Sequence, residues 1–230
     1  MNINYHESVN FGDALAPWLW EKITGDIPHL GTTLPNTMIT GSILADAKEN
    51  TTVWGAGLGS FKEVVPQCDL RAVRGPLTGM KARAVGLKCD TFGDPALLLP
   101  RFYDPSPPRK HKIGIIPHFV DTYAAHQYFR EEKIINILDS TEKVINEILS
   151  CNTIVSSCLH GLIVAEAYGI PTQHITFGDT LAGDGFKFFD YYLSIGQIPK
   201  EPVRYDGELK PSRKKLDIDL DKLMDNCPLK

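Results

Sequence analysis

A proline-rich stretch divides this chain into two parts that share one pattern. Residues 104–110 read Asp-Pro-Ser-Pro-Pro-Arg-Lys, a mixture of proline and charge that is typical of a linker. On both sides of it, short apolar runs alternate with helical patterns, and most runs end at a glycine or serine turn. Because alternating strands and helices build parallel sheets, the sequence predicts two small α/β domains, 1–108 and 109–200, with a tail and helix over 201–230.

Periodicity places the elements within each part. Runs of apolar and β-branched residues predict strands at 37–44, 51–54, 70–73, 113–116, 133–138, 153–155 and 173–177. Apolar residues at helical spacing predict helices at 13–23, 78–85, 141–149, 159–168, 186–195 and 217–227. Ligands of such folds bind at the carboxyl ends of strands or between domains, so we expect functional residues in the turns that follow the strands.

Composition excludes several classes of protein. The chain has 24 Lys and Arg against 28 Asp and Glu, a net charge of −4, and 43% hydrophobic residues. These values suit a soluble globular protein and not a disordered chain, a collagen or a coiled coil. A slightly acidic chain has no general attraction for nucleic acid. No apolar run approaches the ~20 residues that span a bilayer.

Cysteine usage and the N-terminus predict a compartment. The five cysteines are odd in number and show no Cys-x-x-Cys spacing, which argues against a disulfide framework and a zinc site. No cluster of His, Cys and Asp has ligand spacing, so no metal is expected. The N-terminus lacks a secretory signal. We therefore expect a cytoplasmic protein, which could still act at the inner face of a membrane.

The most informative turn reads Ser156-Ser157-Cys-Leu159-His160-Gly161. It joins a predicted strand to a predicted helix, and His160 lies at the start of that helix. Backbone N–H groups at a helix start bind phosphate or carboxylate, and an imidazole there can act as acid, base or anion ligand. The alternative is a capping histidine packed beside the core, and the pattern alone does not separate the two.

Three other segments place polar side chains at strand ends or helix starts. Arg74 ends a strand and could grip a carboxylate or phosphate with two hydrogen bonds, or it could be a surface arginine. Asn10 and Asp13 could cap the first helix, or Asp13 could face a ligand as a base or as an acceptor from a sugar hydroxyl. Asp94 lies in a Gly-Asp-Pro sequence that is otherwise a simple turn.

Two further segments could approach a ligand. The sequence Trp-Gly-Ala-Gly57-Leu-Gly lacks the spacing of a dinucleotide fingerprint, but its glycines permit close backbone approach. Lys187 begins an aromatic run that could line a sugar pocket by stacking, although core aromatics are the alternative.

Taken together, these segments resemble the polysaccharide pyruvyl transferase family, and within it the bacterial exopolysaccharide ketal-pyruvate transferases. The resemblance covers roughly residues 10–192 in the family's order. It rests on Asn-Phe-Gly-Asp at 10–13, Gly-Ser at 41–42, Trp-Gly-Ala-Gly-Leu-Gly at 54–59, Arg-Gly-Pro-Leu-Thr at 74–78, Gly-Asp-Pro at 93–95 and the segment from 156 to 171.

The resemblance implies a glycosyltransferase-B-like fold, with two Rossmann-like domains facing across a cleft and the acceptor on the N-terminal side. It implies phosphoenolpyruvate as donor substrate, no cofactor, and a glycan acceptor that could be lipid-linked. Its product is a cyclic pyruvate ketal. We expect His160 as acid or phosphate ligand, and Asp13 or Asp94 as the base for the hydroxyl. A homo-oligomer is compatible with it.

One position departs from the family. Where members often carry an arginine that is associated with donor binding, this chain has Cys158. Arg74, Arg71 or Lys187 would have to compensate. Two alternatives remain open on the sequence: a nucleotide-sugar glycosyltransferase, in which Glu166 would hold the ribose, and a non-catalytic sugar- or anion-binding relative, for which Cys158 is the main support.

Overall fold

The strand and helix alternation builds two parallel sheets, one in each part of the chain. The computed structural model describes residues 2–5, 10–31, 35–178 and 184–229. The first sheet has the order β2-β1-β3-β4-β5, with β1 (Asn2–Ile3), β2 (His29–Leu30), β3 (Asn36–Met38), β4 (Thr51–Trp54) and β5 (Asp69–Ala72). The second has the order β10-β9-β8-β6-β7, with β6 (His111–Ile116), β7 (Lys133–Ile134), β8 (Cys151–Ser156), β9 (Thr172–Thr176) and β10 (Val203–Arg204). The predicted α/β class with parallel sheets is confirmed.

Eight α-helices connect the strands of the described residues. They are α1 (Phe11–Thr24), α2 (Pro76–Ala84), α3 (Leu99–Phe102), α4 (Thr122–Tyr128), α5 (Thr141–Leu149), α6 (Leu159–Ala167), α7 (Phe186–Ser194) and α8 (Leu220–Asp225). Short 3₁₀ turns cover Leu44–Asp46, Pro95–Leu98 and Phe119–Asp121. No helix in the described ranges is long and apolar enough to cross a membrane.

Two predicted strands are shorter than their apolar patterns suggested. The strand predicted at 37–44 ends at Met38, and the chain turns at Gly41, which has a φ of 99°. The strand predicted at 133–138 ends at Ile134. Beyond it, the Ile137 carbonyl accepts a hydrogen bond from the Phe11 backbone N–H at 2.7 Å, so this apolar run contacts the start of α1.

The segment predicted as a tail contributes to the core. Helix α8 is shorter than the predicted 217–227, and Leu223 and Cys227 pack in one cluster with Ile3 and Trp54 of the first sheet. The Trp54 indole Nε1 donates to the Leu223 carbonyl at 2.8 Å. The last part of the chain therefore completes the core around the first sheet.

Helices from the two parts also share a core. Phe11, Leu15 and Leu19 of α1 pack in one cluster with Ile148 of α5 and Ile163 of α6. Helix α7 contacts α2 of the first part. These contacts bring the start of α1 next to the start of α6, which is the arrangement that builds the site.

Candidate active site

Loops and helix starts from both parts of the chain enclose a pocket of about 220 Å³. The first part contributes Asn10, Asp13, Gly41, Ser42 and Ile43. The second part contributes His118, Phe119, Ile137, Cys158, Leu159, His160 and Lys187. Of the residues expected from the sequence, Asn10, Asp13, Leu159, His160 and Lys187 thus come together around one small space.

His160 lies in the first turn of α6 and is 8% exposed. Its Nε2 is 3.1 Å from the Thr40 hydroxyl and 3.5 Å from Oδ2 of Asp94. The Thr40 hydroxyl donates to Asp94 Oδ1 at 2.8 Å, so it can only accept from His160. Gly12 makes room for the ring, because a Cβ there would lie 2.5 Å from Nδ1. The imidazole is therefore held on one edge by a hydroxyl and a carboxylate.

Asp94 is fully buried behind His160. Its Oδ1 accepts from the Ala96 backbone N–H at 3.0 Å, which caps a 3₁₀ turn. Burial by itself raises the pKa of the Asp94 carboxyl, but the hydrogen bond and charge of His160, together with the Ala96 and Thr40 bonds, hold it below its usual range. A carboxylate without exposed surface cannot reach a sugar hydroxyl, so Asp94 lies behind His160 and not at the pocket wall, where the sequence suggested a base.

The polar residues at the start of α1 cap the helix and also line the pocket. Asn10 caps α1, since its side-chain oxygen accepts from the Asp13 backbone N–H at 3.2 Å. Its amide donates to Asp13 Oδ2 at 2.7 Å. Both side chains nevertheless line the pocket. Capping therefore fixes the Asp13 carboxylate at the pocket wall.

The serines of the 156–157 turn shape the loops below the pocket. The Ser156 hydroxyl donates to the carbonyl of Ile116 and accepts from the Cys158 backbone N–H, both within 3 Å. Gly161 packs against it, because a Cβ there would lie 2.8 Å from Ser156 Oγ. The Ser157 hydroxyl joins this turn to the loop after β6. These residues position the α6 start and do not line the pocket.

Arg74 does not line the pocket either. Its guanidinium is fully buried, and Nη1 donates to Ser42 Oγ at 2.9 Å while Nη2 lies 3.3 Å from Asp190 Oδ2. Gly57 permits this placement, because a Cβ there would lie 2.7 Å from Arg74 Cζ. The direct contact with a ligand that the sequence suggested is not available to a side chain so enclosed. Arg74 instead supports Ser42, which does line the pocket.

Lys187 supplies a cation inside the pocket. It is half-buried in the first turn of α7 and forms no ion pair with any residue that the structure describes. Burial lowers the pKa of its amine, the nearby Arg74 charge adds to this, and Cys158 and Asp13 oppose it. Burial raises the pKa of the Cys158 thiol. A bound anion would restore the favourable environment that the Lys187 charge lacks.

Glu166 lies outside the pocket. It is 2% exposed and accepts hydrogen bonds from the Thr172 hydroxyl at 2.5 Å and the Tyr191 hydroxyl at 2.6 Å. Burial raises the pKa of its carboxyl. Both oxygens are thus engaged in tying α6 to β9 and α7.

Sequence reasoning missed His118, whose ring lines the pocket. It follows β6 directly after Pro117, so the available signal was its position at a strand end. Burial, and then the charge of Lys187, lower the pKa of His118, with Asp121 opposing.

A family model described as polysaccharide pyruvyl transferase matches residues 10–177, well over half of the chain. The chain belongs to the polysaccharide pyruvyl transferase family. The matched segment of this pyruvyl transferase family member contains Asn10, Asp13, His118, Cys158 and His160 of the pocket. The match ends before α7, so Lys187 of the pocket lies outside the segment that the family model matches.

Two relatives are similar over most of this family member. Uncharacterized protein L143 of Acanthamoeba polyphaga mimivirus is 31% identical, with 86% of this chain and 75% of that protein covered. Succinoglycan biosynthesis protein ExoV of Rhizobium meliloti (strain 1021) is 27% identical, with 81% of this chain and 62% of that protein covered. The chain thus spans less than two thirds of ExoV. No solved structure matches it significantly.

Proposed function

We propose that this protein transfers the pyruvyl group of phosphoenolpyruvate to two hydroxyls of one sugar in a glycan, closing a cyclic pyruvate ketal. The observation that carries the proposal is the pocket itself. Lys187 and His160 both line one space of about 220 Å³, and the Asp94 carboxylate contacts His160 from behind. Family membership and the similarity to a succinoglycan biosynthesis protein support a role in making polysaccharide.

The pocket offers two features that suit a compact anion. Lys187 brings a positive charge beside Cys158, the position where the family resemblance implies an arginine. The first turn of α6 offers backbone N–H groups, which favour phosphate and carboxylate. Phosphoenolpyruvate carries both groups a few bonds apart. We therefore assign Lys187 and the α6 start to the donor.

The reaction requires one proton donor and one proton acceptor. Protonation of C3 of the enolpyruvyl group by His160 gives an oxocarbenium-like centre at C2, which the first sugar hydroxyl attacks as it loses its proton. The C2–O bond to phosphate then breaks, and the second hydroxyl attacks C2. Overall, one hydroxyl proton ends on the new methyl group and the other leaves with hydrogen phosphate. The buried Asp94 carboxylate lies 3.5 Å from His160 Nε2 and orients the ring for this step.

Replacing Lys187 with glutamine should weaken phosphoenolpyruvate binding about 10- to 100-fold, because a hydrogen bond to a charged group contributes about 1.5–3 kcal/mol. Isothermal calorimetry on both proteins measures the change. Since burial lowers the pKa of Lys187, affinity should also fall as pH rises through that pKa and the amine loses its charge. Lys88→Gln removes an equal charge from an exposed position and serves as the control. Equal affinities for the Lys187 and Lys88 variants would contradict the assignment.

Gly12→Ala should lower the turnover rate about 10²-fold while the protein stays folded. The added Cβ would lie 2.5 Å from His160 Nδ1, so the ring must move, and a displacement near 1 Å can cost that much in rate. Steady-state release of phosphate from phosphoenolpyruvate with a glycan acceptor measures it. Gly178→Ala adds the same methyl group where no atom of the described ranges lies within 4 Å, and we expect it to retain full turnover.

A thermal shift experiment separates this function from the two alternatives. Phosphoenolpyruvate at about 100 times its dissociation constant should stabilise the protein by about 2.7 kcal/mol, or about 5–10 °C. Uridine diphosphate should not, since the Glu166 carboxylate that a nucleotide-sugar enzyme would use is already bonded to Thr172 and Tyr191. Stabilisation by the nucleotide alone would favour a glycosyltransferase. Binding of phosphoenolpyruvate without turnover on any glycan would favour a non-catalytic relative.

The proposal also covers the domain arrangement of the enzyme, its compartment and its partners. We propose a glycosyltransferase-B-like arrangement, with acceptor and donor on the sides of the first and second sheets. We further propose a cytoplasmic enzyme that could meet a lipid-linked glycan at the inner membrane face, needs no cofactor and does not bind nucleic acid. Size-exclusion chromatography would test whether it forms a homo-oligomer.

A further inference from the structure

His118 is fixed in the pocket by its own backbone. Its N–H donates to Ser157 Oγ at 3.0 Å, and that hydroxyl donates to Asp121 Oδ2 at 2.6 Å. The turn after β8 and the turn after β6 are thereby joined, and both present residues to the same space. This double anchor fixes the backbone of His118 and uses neither ring nitrogen.

The ring itself has unused hydrogen-bonding capacity. Nδ1 is buried and has no hydrogen-bond partner among the residues that the structure describes. An atom without accessible surface is out of a ligand's reach, so a ligand would meet this ring at Nε2, which has no hydrogen-bond partner among the same residues. The ring lines the same cavity as His160 and Lys187. His118 is thus a second imidazole that a ligand in the pocket would meet.

The charges around the two imidazoles differ. His160 Nε2 lies 3.5 Å from the Asp94 carboxylate. His118 faces the Lys187 amine from α7 and the Asp121 carboxylate from its own turn, and Asp13, Cys158 and His160 also border the pocket. Burial and Lys187 together outweigh Asp121 and lower the pKa of His118, so its ring is neutral near pH 7. A neutral imidazole beside the donor pocket is suited to accept a proton from a hydroxyl.

We propose that His118 is the base that accepts the proton of the acceptor sugar hydroxyl as that hydroxyl attacks C2 of the donor. The proposal rests on the function proposed above and assigns its missing proton acceptor. As the C2–O bond forms and the O–H bond breaks, the hydroxyl proton passes to the neutral His118 ring. The balance over a turnover is unchanged: His118 returns two hydroxyl protons, one replacing the proton that His160 gave to C3 and one leaving with phosphate.

Asp13 is the competing base, and the structure favours His118. The Asp13 carboxylate already accepts a hydrogen bond from Asn10 at 2.7 Å. An imidazole accepts and releases a proton near neutral pH, as a group that acts twice in one cycle must do. Asp13 is better suited to orient a sugar hydroxyl through its carboxylate.

The residue next to His118 marks where the sugar would lie. Phe119 lines the pocket, is 54% exposed, and its ring centroid is 4.4 Å from that of His118. An exposed aromatic face at a pocket mouth suits the apolar C–H face of a sugar ring. A sugar on Phe119 would bring its hydroxyls to the neighbouring imidazole. His118 and Phe119 therefore form the part of the acceptor subsite that the second sheet contributes, and Asn10 and Asp13 of the first part face them across the pocket.

The test compares His118→Gln, His160→Gln and Asp13→Asn with the wild type, using phosphoenolpyruvate and a glycan acceptor. His118→Gln should keep its thermal midpoint and its phosphoenolpyruvate affinity within about threefold, and lose about 10²-fold in kcat. Wild-type kcat/KM should fall as the pH drops through the pKa of His118, which is where the base becomes protonated, and this acidic limb should be absent in His118→Gln. With His118→Ala, added imidazole should restore part of the turnover.

The outcomes are separable. Loss of the acidic limb in Asp13→Asn with its retention in His118→Gln would overturn the assignment, and so would turnover of His118→Gln within threefold of the wild type. Loss of phosphoenolpyruvate affinity in His118→Gln would make His118 a donor ligand instead.

Phe119→Ala should raise the acceptor KM at least tenfold with the donor KM unchanged. A wild type that neither binds nor consumes phosphoenolpyruvate would overturn the proposed function itself.

Discussion

His160→Gln should reduce pyruvyl transfer by about 10³-fold, in the range expected when a general acid is removed. Glutamine fills a similar volume and can still donate to the Thr40 hydroxyl, but it cannot protonate C3 of the donor. The 8% exposure of His160 makes this edge of the pocket a rigid part of the core, so the loss reflects chemistry and not a mobile loop. Release of phosphate in the presence of acceptor measures the rate, and circular dichroism checks the fold.

A second variant tests the contribution of the Asp94 carboxylate separately from that of the His160 imidazole. Asp94→Asn keeps the shape of the side chain and its bond to the Ala96 N–H, but it removes the negative charge 3.5 Å from His160. We expect an intermediate loss, about 10- to 100-fold, because the ring loses the carboxylate that orients its Nε2 edge. A His160→Gln enzyme that retains turnover within tenfold would refute the acid assignment, whatever Asp94→Asn does.

Asp190→Ala should lower the free energy of unfolding by about 3–5 kcal/mol, the usual cost of leaving one buried ion uncompensated. The Arg74 and Asp190 side chains are both fully buried, and Asp190 also accepts from the Thr78 backbone N–H at 3.0 Å and its hydroxyl at 2.7 Å. Truncation would leave the guanidinium charge and these donors without their acceptor. Urea denaturation followed by fluorescence measures the change.

Two controls test the cause of that loss. The double variant Arg74→Met with Asp190→Leu removes both charges and should recover much of the stability, because a buried pair replaced by apolar groups is often neutral. The exposed pair of Arg71 and Asp69, 2.8 Å apart, offers a matched comparison, and Asp69→Ala should cost no more than about 1 kcal/mol. If Asp190→Ala lowered the free energy of unfolding no more than Asp69→Ala does, the buried pair of Arg74 and Asp190 would not stabilise the packing of α7 on α2.

The sequence predicts the parts of this molecule that depend on local patterns. The strand at 51–54 and the helix at 141–149 match the structure residue for residue, since apolar periodicity there agrees with the packing. His160 was found because a helix start follows a strand end. The burial of Arg74 was not predictable, because its partner Asp190 is distant in sequence and only the packing of α7 on α2 joins them.

The surroundings of His118 and the place of α8 in the core could not be predicted from the sequence either. His118 belongs to no sequence motif, and its importance comes from the neighbours that the fold places around it, Lys187 and the Ser157 hydroxyl. Helix α8 has the composition of a surface helix, and only Leu223 is fully buried. Its place was set by the indole of Trp54, which needs an acceptor for its buried N–H.

That contact has a consequence for how the chain folds. Trp54 and Leu223 are separated by 169 residues, and the cluster that contains them also includes Ile3 and Ala16. The core beside the first sheet is thus completed by contacts between distant parts of the chain. Contacts of such long sequence separation close slowly, because the loop entropy must be overcome before they form. A chain that stops short of residue 220 would therefore leave the Trp54 indole without its acceptor and expose that face of the first sheet.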